Sequence, residues 1–224
     1  MTGLLLVIIG FLQSPSAIER ADRLFTYGEQ PARDRETLAV LEDAVKSSPN
    51  DFNLLWRAAR AAYYADNEDK AVAFALNAIR VDSTKPDGHF WLAAGYGGIA
   101  EKRGMFKALT LIGKVRSGME TVTRISPGYE HANAYLALCE LDRQLPWVLG
   151  GNTKRAVTYC EQGLRLEPSN LDLKLAMART YNEAGRKADA RRQLEELIAL
   201  PVGNVRPTAG KEVQNEARKM LQKM

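Results

Sequence analysis

Beyond about residue 17, apolar side chains recur every three or four positions in successive short segments, and polar or helix-breaking residues separate the segments. Such spacing places the apolar residues on one face of a helix, and clusters of Pro, Asn, Asp or Gly are typical helix ends. The clearest ends are SPND at 48–51, DSTKPD at 82–87, SPGY at 126–129 and EPSN at 167–170. The pattern predicts an all-α chain.

The helix ends recur with a period. Pro49 and Ser83 are 34 residues apart, and Ala156 and Ala190 have the same separation. A period of 34 is typical of helix–turn–helix repeats, in which stacking buries the face that one helix pair leaves open. We therefore predict five antiparallel helix pairs over residues 18–49, 50–83, 84–127, 128–168 and 169–201, and a capping helix over residues 208–223.

The second pair carries small and bulky residues at the spacing of a known repeat. They are Leu55, Ala58, Ala59, Ala62, Ala71, Ala75, Ala78 and Ser83. On these residues the chain resembles the tetratricopeptide (TPR) family. The resemblance implies a TPR-like α-solenoid of about five antiparallel helix pairs with a C-terminal capping helix.

Two pairs depart from the 34-residue rule. The third has ten extra residues, and the fourth has seven, in a stretch that contains Leu145-Pro146 and Gly150-Gly151. This combination looks like the T component of periplasmic tripartite (TRAP-type) transporters over residues 84–200. The same stretch, with LIALPV at 197–202 and KEVQNEA at 211–217, also resembles the TPR-like region of the regulators of microtubule dynamics.

The N-terminus has a different pattern. GLLLVIIGFL at 3–12 is followed by QSPSA, which is the order of an apolar signal-peptide core and a small-residue cleavage site. We expect residues 1–17 to be a signal or leader segment and the chain to be periplasmic or otherwise extracytoplasmic; the alternatives are a buried first helix and a cytoplasmic protein. In an exported chain Cys139 and Cys160 could oxidise, and two unpaired core thiols remain the alternative.

The amino-acid composition narrows the range of possible functions. The 224 residues are 46% hydrophobic and 26% charged with a net charge of +4, the balance of an ordinary globular chain. Two cysteines and two widely separated histidines predict no metal site, and no cofactor-binding or catalytic motif is present. We expect a protein that is not an enzyme, has no cofactor and binds no nucleic acid.

The TPR resemblance also implies a concave groove, lined by fixed positions of each first helix. Carried onto this chain, these positions predict a groove for a ligand or partner. The candidates with side chains suited to recognition are Asn53, Trp56, Arg60, Tyr63, Tyr64, Asp87, Phe90, His131, Asp142, Asp172, Arg179 and Asn182. The remaining groove positions are Ala94, Gly97, Gly98, Ala134, Leu138, Leu141, Leu175 and Glu183.

Two hypotheses of function follow. The first is a non-enzymatic TPR scaffold that binds a protein or peptide in its concave groove. The second, which the transporter resemblance implies, is a periplasmic transport accessory that binds a small apolar ligand and partners a solute-binding protein. Either protein could form a homo-oligomer.

Overall fold

A computed structural model describes residues 15–224 of the chain. Residues 1–14, which make up most of the predicted leader, lie outside the described part. The described residues form eleven α-helices and no strand: α1 Ala17–Leu24, α2 Pro31–Ser47, α3 Phe52–Tyr64, α4 Glu68–Val81, α5 Pro86–Lys102, α6 Met105–Ile125, α7 Tyr129–Gln144, α8 Thr153–Leu166, α9 Leu171–Glu183, α10 Lys187–Ala199 and α11 Pro207–Gln222. A single 3-10 turn, Trp147–Leu149, lies between α7 and α8.

The helices pair in chain order. Each odd-numbered helix from α1 to α9 packs against the helix that follows it, each even-numbered helix from α2 to α8 packs against the first helix of the next pair, and α11 packs on α9 and α10. The prediction of an all-α solenoid of five pairs with a C-terminal cap is confirmed.

Local sequence explains where the helices begin. Asp51, Asn67, Asn152 and Asn170 cap α3, α4, α8 and α9 by accepting hydrogen bonds from backbone N–H groups of the first turn. Proline begins α2, α5 and α11, at a position where the missing N–H would have no helical partner. The polar clusters between apolar segments therefore set the helix ends.

Small residues let neighbouring helices approach closely. Ala58, Ala62 and Ala71 are fully buried in the contact between α3 and its neighbours. In α5, a Cβ added to Gly95 would lie 2.9 Å from a methyl carbon of Val72, so only glycine fits there without a shift of α4. These contacts make the continuous core that stacked repeats require.

The two ends of the array meet. The carboxylate of Glu29, in the turn between α1 and α2, accepts hydrogen bonds from the backbone N–H groups of Thr208 and Ala209, both at 3.1 Å. These groups begin α11, where helical N–H donors have no partner within the helix. The first pair thus caps the last helix, 179 residues away in sequence.

The turn that carries Glu29 is itself held in place. The fully buried Asp34 accepts hydrogen bonds from the backbone N–H of Thr26, from the Thr26 hydroxyl and from the backbone N–H of Gly28, at 2.8, 2.8 and 2.9 Å. Gly28 has a φ of 85°, a conformation that favours glycine.

Cys139 of α7 and Cys160 of α8 form a disulfide, with their Cα atoms 5.5 Å apart. The sequence left this pairing open, since it depends on how α7 packs on α8. Both residues are fully buried within the fourth pair.

Within residues 15–224, none of the helices combines the length and the hydropathy needed to cross a bilayer.

Candidate binding cleft

A cleft of about 730 Å³ runs along the concave face. Its walls come mainly from α5 and α7, with the C-terminal end of α3 and one side of α6. Most of its lining is apolar or aromatic and includes Tyr63, Tyr64, Phe90, Trp91, Ala94, Gly97, Ile112, Val115, Leu136 and Ala137. A volume of this size accommodates a small molecule or several side chains of an extended peptide.

Aromatic rings form a continuous wall from the first pair to the fourth. Phe25 and Tyr27 contact Tyr64, with ring centroids 5.2 and 5.9 Å apart. Tyr64 contacts Trp91 at 6.0 Å, and further rings extend the series to Tyr129. Each pair lies within the range of favourable edge-to-face or tilted packing, so the wall is rigid as well as apolar.

A second cavity of about 230 Å³ lies where the two ends of the array meet. Tyr27 and Tyr64 line it from the first two pairs, Glu130 from α7, Asp172 from α9, and Arg206 from the segment before α11. Tyr64, Glu130, Asp172 and Arg206 also line the larger cleft, so the two cavities adjoin.

Acidic side chains dominate the charged lining of the two cavities. They are Glu101, Glu130, Glu140, Glu167 and Asp172, against the single guanidinium of Arg206. Two of these acids are neutralised: Glu140 pairs with Arg143 and Arg179, and Asp172 lies 3.6 Å from Arg206. The remaining negative charge contrasts with the net charge of +4 of the whole chain.

Glu130 is a half-buried acid without a direct counter-charge in residues 15–224. Burial raises the pKa of its carboxyl above the ordinary value, and the charges of Arg60 and His131 offset this effect only in part. In the described part of the chain, its carboxylate has no hydrogen bond and no ion pair within 4.0 Å.

The backbone at Glu130 is strained. Glu130, His131 and Ala132 have φ values of 47°, 56° and 61°, three consecutive non-glycine residues in the left-handed region. Each such residue costs about 1–2 kcal/mol. The packing around them holds the turn: Ala132 is fully buried, and Asn170 donates a hydrogen bond to the His131 carbonyl at 2.9 Å.

The structure brings five of the predicted recognition residues to the cavities: Tyr63, Tyr64, Phe90, His131 and Asp172. A sixth, Asp87, lies behind the wall, where its carboxylate accepts a hydrogen bond from the Tyr129 hydroxyl at 3.0 Å.

Three predicted residues of the second pair lie away from the cleft. The guanidinium of Arg60 stacks on Phe25 and Trp56, 4.0 and 5.0 Å from their ring centroids, and donates to Asp22 at 3.0 Å. Asp22 of α1 and Phe25 just after it belong to the first pair, so Arg60, which stacks on Trp56 of its own helix, joins the first pair to the second. Asn53 is exposed at the start of α3.

In the fourth pair, the predicted Leu141 lines the cleft, but the other cleft-facing positions lie one residue earlier than predicted. Glu130, Asn133, Ala137, Glu140 and Leu141 line the cleft. The predicted Ala134, Leu138 and Asp142 point into the core instead, with exposures of 0%, 0% and 1%. The reason is the start of α7: it begins two residues after Pro127, whereas α3 and α9 begin three residues after Pro49 and Pro168.

The prediction that Asp142 lies in the groove is therefore wrong. Its side chain is buried and connects three helices. It accepts hydrogen bonds from Arg116 of α6 and Arg155 of α8, at 2.6 and 2.5 Å. Arg155 also donates to the carbonyl of Gly150 at 2.7 Å, so the same contact holds the inserted loop. Burial opposes ionisation of Asp142, but the hydrogen bonds from Arg155 and Arg116 outweigh it and lower its pKa.

Two predicted residues of the fifth pair also lie outside the cleft. Arg179 forms ion pairs with Glu140 and Glu216, and so connects α9 to α7 and α11. Asn182 is exposed at the C-terminal end of α9, beside a separate small cavity that Met220 and Met224 also line.

Sequence reasoning missed Tyr27, Glu130, Asn133 and Arg206. Glu130 and Asn133 were one position from the residues named, and a repeat count restarted at Tyr129 would have found them. No repeat position predicts Tyr27 or Arg206, since both reach the cavity through the meeting of the two ends.

The matches to known proteins agree with this architecture. Residues 149–202 match the tetratricopeptide repeat family. No curated protein sequence matches the chain.

Among solved structures, TTC0263, a thermophilic TPR protein in Thermus thermophilus, is similar with a TM-score of 0.71 and 18% identity, over 92% of this chain and 97% of that one. MamA is similar with a TM-score of 0.56 and 13% identity, over 84% and 92%. YrrB, described as a TPR protein with an unusual peptide-binding site, has a TM-score of 0.54 and 13% identity, over 91% and 90%. The chain therefore has the fold of tetratricopeptide-repeat proteins, and its residues 149–202 match that family in sequence.

Proposed function

We propose that this protein is a non-enzymatic scaffold that binds a segment of a partner protein in its concave cleft. The observation that carries the proposal is the cleft of about 730 Å³, with its continuous aromatic wall and carboxylates at its edges. Rigid aromatic rings supply contact area at little entropic cost, and a few polar groups fix the orientation of a ligand. The fold supports this reading, since YrrB, which shares it, is described by its peptide-binding site.

The proposal places the protein outside the cytoplasm, as the apolar N-terminal stretch suggests. The Cys139–Cys160 disulfide supports this placement, because such bonds persist in oxidising compartments and are rare in the cytosol.

Two glycines allow a matched test. Gly97 lines the cleft, and a Cβ added there would meet nothing within 4 Å; the same holds for Gly113, which is exposed on α6 outside both cavities. Gly97→Met and Gly113→Met therefore add the same side chain to two helices without a clash at the Cβ, but only the first fills the cleft.

The measurement is the affinity of peptides selected against the wild-type protein from a random peptide library. We expect Gly97→Met to weaken the selected peptides at least tenfold and Gly113→Met to leave their affinity unchanged. Equal affinities for both variants would place the binding site elsewhere and refute the proposal.

The volume of the cleft favours one alternative, a periplasmic transport accessory that holds a small apolar ligand, because about 730 Å³ lies in the range of small-molecule sites. Native mass spectrometry of the protein purified from its own host separates the two functions. A retained small molecule that Gly97→Met removes would support the accessory, and a ligand-free spectrum would count against it.

A further inference from the structure

We propose that the cavity beside Glu130 binds a cation on the partner segment, the ammonium or guanidinium of a lysine or arginine, between tyrosine rings and the Glu130 carboxylate. The inference rests on the proposed function and specifies the chemistry of the segment that the cleft would take.

The lining of the two cavities carries uncompensated negative charge. After the pairs of Glu140 and Asp172 are discounted, Glu101, Glu130 and Glu167 remain without an arginine or lysine partner in the described part of the chain. Glu167 lies 3.8 Å from His131, which is a counter-charge only when the imidazole is protonated. A positively charged ligand group is the complement of this lining.

The side chains around Glu130 suit a cation. Its carboxylate shares the cavity of about 230 Å³ with the rings of Tyr27 and Tyr64. Aromatic faces attract cations, and a carboxylate among them adds a full counter-charge. A cation that entered would supply the partner that this half-buried acid lacks.

The backbone also positions Glu130. The three left-handed residues at the start of α7 place Glu130 in the cavity lining, and buried Ala132 and the hydrogen bond from Asn170 to the His131 carbonyl hold the turn. Strained residues of this kind are found where a structure holds a functional group in position. Arg206, the one guanidinium in the lining, pairs with Asp172 and is not the counter-charge of Glu130.

The experiment compares three labelled decapeptides, in which alanine alternates with lysine, norleucine or glutamate, by fluorescence anisotropy. Norleucine keeps the apolar stem of lysine without its charge. The variants are Glu130→Gln, which removes the charge and keeps the shape, and Glu212→Gln, a control at an exposed acid of α11. Glu130→Asp retains the charge and tests for rescue, and the thermal midpoint of each variant reports whether it is folded.

We expect the lysine peptide to bind the wild-type protein at least ten times more tightly than the norleucine peptide. Glu130→Gln should weaken binding of the lysine peptide about tenfold, the size expected for the loss of a charge-assisted hydrogen bond, and leave binding of the norleucine peptide unchanged. Glu212→Gln should change neither. Amide resonances of residues 130–133 should shift only with the lysine peptide.

Lysine and norleucine peptides of equal affinity, a stronger glutamate peptide, or an unchanged lysine preference in Glu130→Gln would each overturn the inference. So would the absence of any shift at residues 130–133 with the lysine peptide at millimolar concentration. The proposed function is tested separately from the cation site. If Gly97→Met abolishes binding of the norleucine peptide but the lysine peptide shows no preference, the scaffold function is supported and the cation site is refuted.

Discussion

Asp142 offers the sharpest test of the packing, because the sequence and the structure assign it different roles. Its side chain is fully buried, while those of its partners Arg116 and Arg155 are 18% and 41% exposed. Breaking a buried ion pair costs about 3–5 kcal/mol. Since both arginines can regain water, we take the lower end and expect Asp142→Asn to cost about 3 kcal/mol.

For a chain of this length, 1 kcal/mol corresponds to about 2–4 °C, so Asp142→Asn should lower the thermal midpoint by about 6–12 °C. Asp189 gives a matched control, because it also pairs with two arginines, Arg186 and Arg192, but at the surface. Exposed pairs contribute little to stability, so Asp189→Asn should lower the midpoint clearly less than Asp142→Asn does.

The stability lost in Asp142→Asn should also depend on pH. The pKa of Asp142 is lowered in the folded state, so its contribution is present above the ordinary aspartate pKa and disappears as the pH falls through the folded value. The gap in unfolding free energy between wild type and Asp142→Asn, measured by urea denaturation, should therefore close in acid. Equal losses for Asp142→Asn and Asp189→Asn at neutral pH would refute the reasoning.

Binding separates the two roles of Asp142 directly. If Asp142 lay in the groove, Asp142→Asn would weaken peptide binding. Because Asp142 is buried, we expect unchanged peptide affinity at a temperature where Asp142→Asn remains folded.

Three further predictions concern the turn, the closure and the disulfide. His131→Gly should raise unfolding free energy in urea by about 1 kcal/mol, because glycine adopts the left-handed region without strain, and a destabilised variant would show that the turn is not strained. Glu29→Gln should speed amide hydrogen exchange at the start of α11. Hydrogen bonds from the Thr208 side chain and from the amides of Ala209 and Thr208 lower the pKa of Glu29, so the wild type should come to resemble this variant only when the pH falls below the ordinary glutamate pKa. Identical exchange at neutral pH would exclude the closure. Reduction of Cys139–Cys160, which closes a loop with a sequence separation of 21, should cost about 3 kcal/mol and lower the midpoint by about 6–12 °C, whereas no change on adding reductant would contradict the bond.

The fold was readable from the sequence because each helix carries its own apolar stripe and its own polar ends. The 34-residue separation of Pro49 and Ser83 reflects one repeat of the stacking, so counting was sufficient to place the pairs. Counting also found the cleft residues Tyr63, Tyr64 and Phe90, which precede the first long insertion.

What the sequence left undetermined depends on contacts between distant parts of the chain. Helix α7 begins one residue sooner after its preceding proline than α3 and α9 do, which places Glu130 in the cleft and Asp142 in the core. Tyr27 and Arg206 meet at the cavity only because Glu29 caps α11, a contact that no local pattern encodes. The resemblances to the transporter component and to the microtubule regulators remain predictions.

The central claim, that the concave cleft receives a partner segment, is tested most directly by site-specific photo-crosslinking. A benzophenone side chain is placed at Ala137, which lines the cleft, or at exposed Gly113 outside it, and the crosslinked peptides are identified by mass spectrometry. We predict that Ala137 crosslinks to one segment of one partner, that this segment contains lysine or arginine, and that Gly113 yields no such product. The same partner segment captured equally from both positions would contradict the claim.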